Sequence, residues 1–461
     1  MKNVVILGAG ITGLTTAYHL KKAGVDFILL EKNDRVGGVI HTVSENGFTY
    51  EEGPNTGVVG NVEVLRLFND LKGKCELEEA NENVKKRYIL KNGQWKALPS
   101  GPLSAIRTPL FTLRDKFRIL GEPFRPAGKN PDETLAQMVE RRLGKSFLDY
   151  AVDPFILGVY AGDPHRLIPR HALPKLYNLE QKYGSFIGGS IKKAREPKTE
   201  EEKKVTRGVF SAKGGLSSLI RALEEKICNE NILSGISDLR INPINEHFTV
   251  NFRDKEGKTI EIETKKVIST IGAYCLDKVL PFIDQGLLLK LTSLHYARVI
   301  EIVLGFNNWT GMKLDAFGGL IPFKEKRNLL GVLFLSALFE NRAPKNGALF
   351  SIFLGGVRNP EIVDLPDNRI KEILQEEFPS IMKTRDFNPD LLKILHHYHA
   401  IPQYEIDSKE RFAAIEAIEK NYPGLIIGGN LRNGIGMADR IMQARHLADA
   451  ALQDYEAKRY N

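Results

Sequence analysis

The chain has 461 residues, enough for two or three domains with a cavity between them, and a formal net charge of +8 at pH 7. Cys75, Cys228 and Cys275 lie far apart without a C-x-x-C pair, which argues against a disulfide framework, a metal site or a dithiol redox centre. The positive charge suits an anionic ligand or an anionic lipid surface. Nucleic acid is not an expected partner, because the basic residues are scattered and no nucleic-acid-binding motif accompanies them.

The beginning of the chain leaves no room for a targeting segment. The apolar run Val4–Leu7 follows Met1 almost at once, without a basic region or a cleavage site before it. No apolar stretch reaches the roughly 18 residues that a membrane-spanning helix needs. We therefore expect a cytoplasmic protein that does not span a membrane.

The first motif is a strand, a glycine turn and a helix. Val4–Leu7 is rich in β-forming residues, "GAGITG" follows, and Leu14–Ala23 has helical apolar spacing. Gly8 allows a tight turn, Gly10 lets the backbone approach a pyrophosphate, and Gly13 lets the helix pack close to the strand. The turn residues that we expect at a dinucleotide are Gly8, Ala9, Gly10, Ile11, Thr12 and Gly13.

A second strand, Val25–Leu30, ends at Glu31 and Lys32. A carboxylate at this position accepts hydrogen bonds from a ribose and repels a 2′-phosphate. The alternative for Glu31 is a solvated charge at the end of a strand. The complete strand–turn–helix–strand unit favours the dinucleotide interpretation.

The chain then returns to glycines instead of continuing into further β-α-β units. Arg35, Gly37 and Gly38 come first, and Gly53 and Pro54 follow a short predicted strand. No second G-x-G-x-x-G unit occurs, so we expect no NAD(P)H-binding domain.

The C-terminal segment "GLIIGGNLRNGIGMADRIMQARHLADAAL" predicts a buried strand at Leu425–Ile427, a glycine-rich loop and a helix. A helix that starts behind such a loop can point its backbone N–H groups at an anionic or electron-rich ligand. The alternative is a C-terminal helix that only docks on the domain.

Together these motifs resemble the glutathione-reductase-like flavoproteins of the amine-oxidase superfamily. The resemblance implies FAD, with Arg35, Gly37 and Gly38 along the pyrophosphate and Gly53 and Pro54 near the flavin ring. The further positions that match its FAD contacts are Ile236 at the adenine, Thr270 after a returning strand, and Gly429, Asn430, Gly436, Met437 and Ala438 in the C-terminal segment.

Three central stretches resemble a narrower family, the oxygen-dependent protoporphyrinogen oxidases and their coproporphyrinogen-oxidising relatives. They are "DPFILGVYAGDPHRLIPRHALPKLYNLEQKYGSFIGG" (153–189), "FSAKGGLSSL" (210–219) and "LFENRAPKNG" (338–347). This resemblance implies an FAD-dependent oxidase of heme biosynthesis that converts protoporphyrinogen IX to protoporphyrin IX by removing six electrons in three steps. It also implies molecular oxygen, or a quinone, as the electron acceptor.

The expected fold is α/β with a discontinuous FAD-binding Rossmann-like domain, formed by residues 1–85, 205–280 and 405–461. Residues 86–200 form an inserted, mostly helical domain, and residues 281–404 form an α+β substrate-binding domain. The charged stretch 192–207 has few apolar residues, which predicts an exposed linker.

A porphyrinogen is an apolar tetrapyrrole that carries carboxylates, so its site needs an apolar slot with a cation at the mouth. The flavin performs the chemistry, and we expect no catalytic side chain beyond it. By resemblance, Arg87 pairs with a substrate carboxylate, Gly162 leaves space in the slot, and Leu320 and Phe339 line it. The alternatives are a surface arginine beside Lys85 and Lys86, and ordinary core positions for the two apolar residues.

Members of the narrower family are peripheral membrane proteins. In this chain, residues 103–129 interleave apolar side chains with six basic ones and only two acidic ones, a pattern that suits a lipid interface. The alternative is a loop with two short helices packed on the domain.

Three rival functions stay open at this point. Oxidation of coproporphyrinogen III to coproporphyrin III uses the same chemistry on a substrate with two more carboxylates. Amine oxidation is disfavoured, because "GLIIGGNLRNGIG" offers no aromatic residue to face the flavin. A porphyrin-binding carrier would keep FAD only as structure. The sequence does not fix the oligomeric state, and a homodimer is compatible with it.

Overall fold

The computed structural model describes residues 2–385 and 387–457, and strands in this part of the chain form two seven-stranded sheets and two small ones. The strands are β1 Lys2–Leu7, β2 Phe27–Leu30, β3 Thr42–Glu45, β4 Phe48–Glu51, β5 Gly57–Val58, β6 Leu77–Glu79, β7 Lys86–Lys91, β8 Gln94–Ala97, β9 Val209–Ala212, β10 Ile232–Leu233, β11 Ser237–Ile244, β12 His247–Arg253, β13 Thr259–Ser269, β14 Tyr296–Phe306, β15 Ala316–Leu320, β16 Leu329–Phe334, β17 Ala348–Gly355, β18 Leu391–Pro402 and β19 Leu425–Ile427.

The α-helices cover both the flanks of the sheets and a separate helical segment between β8 and β9. They are α1 Ile11–Lys22, α2 Val62–Asp70, α3 Pro102–Arg107, α4 Leu113–Leu120, α5 Leu135–Arg142, α6 Lys145–Phe147, α7 Asp153–Tyr160, α8 Pro169–Ala172, α9 Pro174–Tyr183, α10 Phe186–Ala194, α11 Glu200–Lys203, α12 Ser217–Ile227, α13 Leu276–Val279, α14 Gln285–Thr292, α15 Leu335–Leu338, α16 Asp367–Met382, α17 Ser408–Asn421 and α18 Met437–Ala457.

The first sheet joins the beginning, the middle and the end of the chain. Its parallel part has the strand order β10-β2-β1-β13-β19; β12 pairs antiparallel with β13, and β11 pairs antiparallel with β12. Ile268 of β13 pairs with Ile6 of β1 on one side and with Ile426 of β19 on the other. Helices α1, α12 and α18 pack together beside this sheet. The predicted Rossmann-like α/β fold is confirmed.

The second sheet has the order β18-β14-β17-β16-β15-β7-β8. Helix α16 covers one face through an apolar cluster that includes Phe350 and Phe378. The other face packs against Phe48 and Tyr50 of β4.

Residues 86–97 are strands of the second sheet, whereas the sequence interpretation placed them in the helical segment. Strand β7 runs parallel to β15, with Gly319 beside Tyr88 and Leu320 beside Ile89. Ile89 and Leu90 are both buried, one on each side of the sheet. Because these two adjacent residues are the buried ones of β7, the strand lacks the alternating pattern that would have identified it.

The helical segment encloses a cluster of buried charges. Arg142 and Glu122 are fully buried, and Arg142 Nε donates to Glu122 Oε1 over 2.5 Å. Arg142 Nη1 donates to the buried Glu180 over 2.7 Å, and the Ser185 hydroxyl donates to Glu122 over 2.6 Å. Because an unpaired buried charge is costly, these contacts hold α5, α9 and α10 in one arrangement.

Two further expectations concern the surface. Residues 192–207 are exposed apart from Val205, as predicted for a linker, although α11 forms within them. Among the helices that the structure describes, none is both long enough and apolar enough to span a bilayer.

Candidate flavin and substrate site

The first glycine turn forms a cradle at the start of α1. Gly8 has a φ of +91°, and a Cβ on Gly13 would lie 1.9 Å from the Gly8 carbonyl oxygen, so neither position tolerates a side chain. A Cβ on Gly10 would meet no atom within 4 Å. Gly10 is also the N-cap and has no side chain to accept the first N–H groups of the helix. The geometry fits an anion at the helix N-terminus.

Glu31 lies behind this turn and is buried, with 5% of its surface exposed. Its Oε2 accepts the Ala9 backbone N–H over 2.8 Å, and its Oε1 accepts the backbone and side-chain N–H groups of Asn33, each over 2.9 Å. The Ile236 N–H donates to the Glu31 carbonyl oxygen over 3.2 Å. Glu31 and Ile236 are therefore neighbours, and the adjacent Lys32 is exposed.

The second group of glycines lies directly against the first. Gly37 forms a bridge with Gly10, and its N–H donates to the Ala9 carbonyl over 2.7 Å. A Cβ on Gly38, whose φ is +59°, would lie 3.1 Å from the Gly10 Cα. The Arg35 guanidinium donates to the Ile40 carbonyl over 3.2 Å. The structure thus brings together the two turns that the sequence assigns to the pyrophosphate.

Gly53 and Pro54 border an apolar surface beside these turns. A Cβ on Gly53 would lie 2.2 Å from the Val39 carbonyl oxygen, so only glycine fits there. The side chains of Val39 and Val58 are unusually exposed for valine, at 66% and 45%. Exposed apolar side chains next to a glycine cradle suit a flat ring.

The C-terminal loop reaches the same place. The Thr270 hydroxyl lies 2.8 Å from the Leu7 carbonyl oxygen, and a Cβ on Gly429 would lie 3.1 Å from the Thr270 carbonyl oxygen. The Tyr296 hydroxyl donates to Asn430 Oδ1 over 3.2 Å. Burial raises the pKa of Tyr296, which keeps its hydroxyl protonated for this contact.

Buried polar groups hold this loop in shape. The Arg440 guanidinium donates to the Gly429 carbonyl, to the Arg432 carbonyl over 2.8 Å and to Gln443 Oε1 over 2.8 Å. Burial lowers the pKa of Arg440. Gln443 Oε1 also accepts the Gly429 N–H over 2.8 Å.

The start of α18 follows this loop and packs on the N-terminal part of the chain. Met437 is its first residue, and the preceding Gly436 donates its N–H to Asp439 Oδ2 over 3.2 Å. The Ala438 carbonyl accepts the Asn61 side-chain amide over 2.8 Å. Both ends of the chain therefore meet at one site.

Helix α7 packs against strand β15 of the second sheet. A Cβ on Gly158 of α7 would lie 2.3 Å from Leu320 Cδ2, so Leu320 packs directly on the helix backbone. The helix ends at Ala161, which adopts the left-handed conformation with a φ of +45°. Gly162 is buried against Gln403, whose Oε1 would lie 2.6 Å from an added Cβ. The close approach to Leu320 thus belongs to Gly158, a glycine of the same motif that sequence reasoning did not single out.

Arg87 is exposed on β7, with its guanidinium carbon 5.6 Å from the centre of the Phe317 ring. Lys86 differs, because its ammonium pairs with Asp315 over 2.6 Å. Within the described residues Arg87 forms no ion pair, which distinguishes it from Lys86. Phe339 is 5% exposed and packs in the same apolar cluster as Phe317.

Arg358 is a positioning residue that no sequence motif identified. Its guanidinium donates to Asp153 at the start of α7 over 2.6 Å and to Asp163 just beyond its end over 2.7 Å. Asp153 also accepts the Phe323 N–H from the loop after β15 over 3.0 Å. One arginine thereby fixes both ends of α7, and its contacts could not be found without the tertiary structure.

The family follows from a comparison with known proteins. The family model described as flavin containing amine oxidoreductase matches residues 11–442. The chain belongs to this family. It is therefore a flavoprotein oxidoreductase with FAD as its cofactor, and the cradle of Gly8, Gly10 and Gly13 with Glu31 fits that group.

Relatives with specific names match along the whole chain. The mitochondrial protoporphyrinogen oxidase of Nicotiana tabacum is 29% identical over 99% of this chain and 96% of its own length. The coproporphyrinogen III oxidase of Bacillus subtilis is 26% identical over 98% of each chain. A crystal structure of a protein from Exiguobacterium sp. 255-15 aligns with a TM-score of 0.80 at 22% identity, covering 97% of this chain and 98% of the other, which shows the shared fold.

We predict that Glu31→Ala weakens FAD binding by about tenfold or more, because it removes a buried acceptor of charge-assisted hydrogen bonds at the cradle. Titration of the apoprotein with FAD, followed by flavin fluorescence, measures the affinity. Asp34→Asn is the matched control, since Asp34 lies three residues further along and 90% of its side chain is exposed. Equal affinities of the two variants would contradict the role of Glu31.

Proposed function

We propose that this protein oxidises protoporphyrinogen IX to protoporphyrin IX in heme biosynthesis, with molecular oxygen as the electron acceptor. Its main support is the full-length similarity to proteins named protoporphyrinogen oxidase, at 26–29% identity. FAD supplies the two-electron chemistry when bound. The residues of the chain bind the substrate, orient it and exclude water.

The substrate surface has the two properties that a porphyrinogen requires. Leu320, packed on Gly158 of α7, offers an apolar wall, and Arg87 offers a cation that no described side chain neutralises. We assign this surface to the second sheet and α7, and the flavin to residues 1–85, 205–280 and 405–461. The helical segment then begins after β8. Phe339 supports the wall from within the apolar cluster.

Coproporphyrinogen III is the second candidate substrate. The Bacillus subtilis relative is named for it, and the exposed Lys85 stands near Arg87 as a further cation. Two extra carboxylates on the substrate would need such additional positive charge.

Anaerobic mixing of the purified, FAD-loaded protein with each porphyrinogen separates these functions. We expect rapid bleaching of the oxidised flavin absorbance with protoporphyrinogen IX and slow bleaching with coproporphyrinogen III. The reverse order would assign the protein to coproporphyrinogen III, and no bleaching with either would favour a porphyrin-binding carrier. Admission of oxygen should restore the flavin absorbance and form hydrogen peroxide, whereas restoration only by a quinone would overturn oxygen as acceptor.

Arg87→Gln should raise KM about tenfold while leaving kcat nearly unchanged, because the guanidinium binds a carboxylate away from the oxidised carbons. Steady-state kinetics with protoporphyrinogen IX measures both constants. Lys86→Gln is the control, since Asp315 already neutralises that ammonium, and its KM should stay within about twofold of the parent protein. A lower kcat at unchanged KM for Arg87→Gln would refute carboxylate binding.

We also propose that α3 and α4 dock on an anionic membrane surface. In the segment 103–124, which contains α3 and α4, six apolar side chains are each 67–90% exposed. They are Leu103, Ile106, Leu113, Phe117, Leu120 and Phe124. Leu110 and Phe111 are buried, so the segment is anchored on the protein from its other side. Basic residues such as Arg114 flank the apolar face and suit anionic headgroups.

Phe117→Ser should lower the affinity for phosphatidylserine-containing vesicles by about tenfold, because it removes one apolar side chain from the interface. Vesicle co-sedimentation measures the affinity. Leu289→Ser is the matched control, since Leu289 is 66% exposed on α14, outside this segment. The proposal fails if both variants sediment equally, or if the parent protein stays in the supernatant.

A further inference from the structure

A charged cavity of about 580 Å³ lies beside α4, the helix that carries the exposed Phe117. Its lining combines α4, the helical turns that follow α5 and the loop after β15. The lining residues are Arg114, Asp115, Arg118, Glu140, Gly144, Lys145, Ser146, Asp149, Tyr150 and Lys324. No residue that we assign to the flavin or to the porphyrinogen is among them, so this cavity is separate from both of those sites.

Two arginines of α4 border this cavity and the exposed apolar surface at the same time. Arg114 and Arg118 are four residues apart and therefore lie on one side of the helix. The neighbouring side of α4 carries apolar residues that are each 70–72% exposed, and they are Leu113, Phe117 and Leu120. A ligand with an anionic head and an apolar tail could contact both sides of the helix.

Neither of these guanidinium groups is neutralised by a carboxylate within 4.0 Å in the described part of the chain. Arg118 donates instead to the backbone carbonyl of Glu140 over 2.9 Å. A Cβ on Gly144 would lie 2.6 Å from Arg118 Nε, and Gly144 has a φ of +95°. Glycine at position 144 therefore leaves room for the Arg118 side chain at the edge of the cavity.

Three carboxylates also line the cavity, and each has another partner. Asp115 accepts the N-cap hydroxyl of its own helix over 2.6 Å. Asp149 accepts the Lys324 ammonium over 3.0 Å, and Glu140 lies 3.7 Å from Lys145 Nζ. The lining thus has four basic and three acidic side chains, and its unneutralised positive charge lies on α4.

Tyr150 adds a neutral donor to this lining. The residue is only 8% exposed, and within residues 2–385 and 387–457 its hydroxyl has no hydrogen-bond partner. Burial raises the pKa of Tyr150, so the hydroxyl keeps its proton and can donate it. Lys91 Nζ lies 4.5 Å from the centre of the ring and holds the ring from the protein side.

We propose that this cavity binds the phosphodiester headgroup of an anionic phospholipid. The Arg114 and Arg118 guanidinium groups and the Tyr150 hydroxyl donate to the phosphate oxygens, and the acyl chains leave along Phe117. Guanidinium suits a phosphate because its planar N–H groups can bind two oxygens at once. The inference rests on the membrane docking proposed above, whereas headgroup binding itself can be measured without a bilayer.

Isothermal titration calorimetry with dihexanoyl phosphatidylglycerol, kept below its micelle concentration, tests the headgroup site. Arg114→Gln should weaken binding by about tenfold or more, because it removes a charged donor to the phosphate. Arg107→Gln is the matched control, since Arg107 is an exposed arginine of the same segment that does not line the cavity. Its affinity should stay within about twofold of the parent protein. Equal losses in the two variants, or no binding by the parent protein, would overturn the proposal.

Tyr150→Phe gives a second reading, because it removes one hydroxyl and keeps the ring beside Lys91. We expect about fivefold weaker binding of the soluble lipid, which is the effect of one lost hydrogen bond. An unchanged affinity would place the lipid outside the cavity. Inorganic phosphate should bind at least about tenfold more weakly than the lipid, because it has no apolar part to contact Phe117. Equally tight binding of inorganic phosphate would assign the cavity to the free ion and overturn the lipid.

Vesicle co-sedimentation separates this proposal from membrane docking as such. The parent protein should prefer phosphatidylglycerol vesicles to phosphatidylcholine vesicles, and Arg114→Gln should reduce that preference more than Arg107→Gln does. An equal reduction would show general attraction to negative charge and overturn the site. Phe117→Ser should weaken binding to both kinds of vesicle. If the parent protein binds the soluble lipid but neither vesicle, the docking of α3 and α4 fails and the headgroup site stands.

Discussion

Pairing of β13 with both β1 and β19 is the constraint on which the site depends. Ile6, Ile268 and Ile426 lie side by side in one parallel register, although they are separated by hundreds of residues along the chain. The carboxyl ends of parallel strands meet at one edge of a sheet, so the turns that follow these strands converge. Gly8 follows β1 and Thr270 follows β13, and a shift in register would separate them.

Three of the buried carboxyl groups, those of Glu31, Glu122 and Glu301, receive their hydrogen-bond donors in different ways. Glu31 accepts N–H groups of the backbone and of Asn33, which ties it to the glycine cradle. Glu122 pairs with the buried Arg142 and thereby joins the helices of the inserted segment. Glu301 accepts the side-chain amide of Asn55 and the hydroxyl of Ser351. Each solution meets the requirement that a buried acceptor has a donor.

Local motifs were predictable where a function is encoded in consecutive residues. The turn of Gly8–Gly13, the strand at Leu425–Ile427 and the exposed linker agree with their sequence patterns. Strand β7 was assigned to the helical segment instead, because its buried residues Ile89 and Leu90 are adjacent and give no period-two pattern. Contacts such as Gly158 with Leu320 join residues far apart in sequence, and no spacing rule reports them.

The sequence by itself determined the flavin cradle, because glycine at Gly8 and Gly13 and a carboxylate at Glu31 are steric and electrostatic requirements of a contiguous strand–turn–helix–strand unit. Its family motifs also determined the class of chemistry. Only the tertiary structure decided that Asp315 neutralises Lys86, whereas Arg87 has no ion pair among the described residues. It likewise decided how α7 is held and where Glu301 lies. Such pairings depend on the packing of distant elements, and the energies that select them arise only once those elements meet.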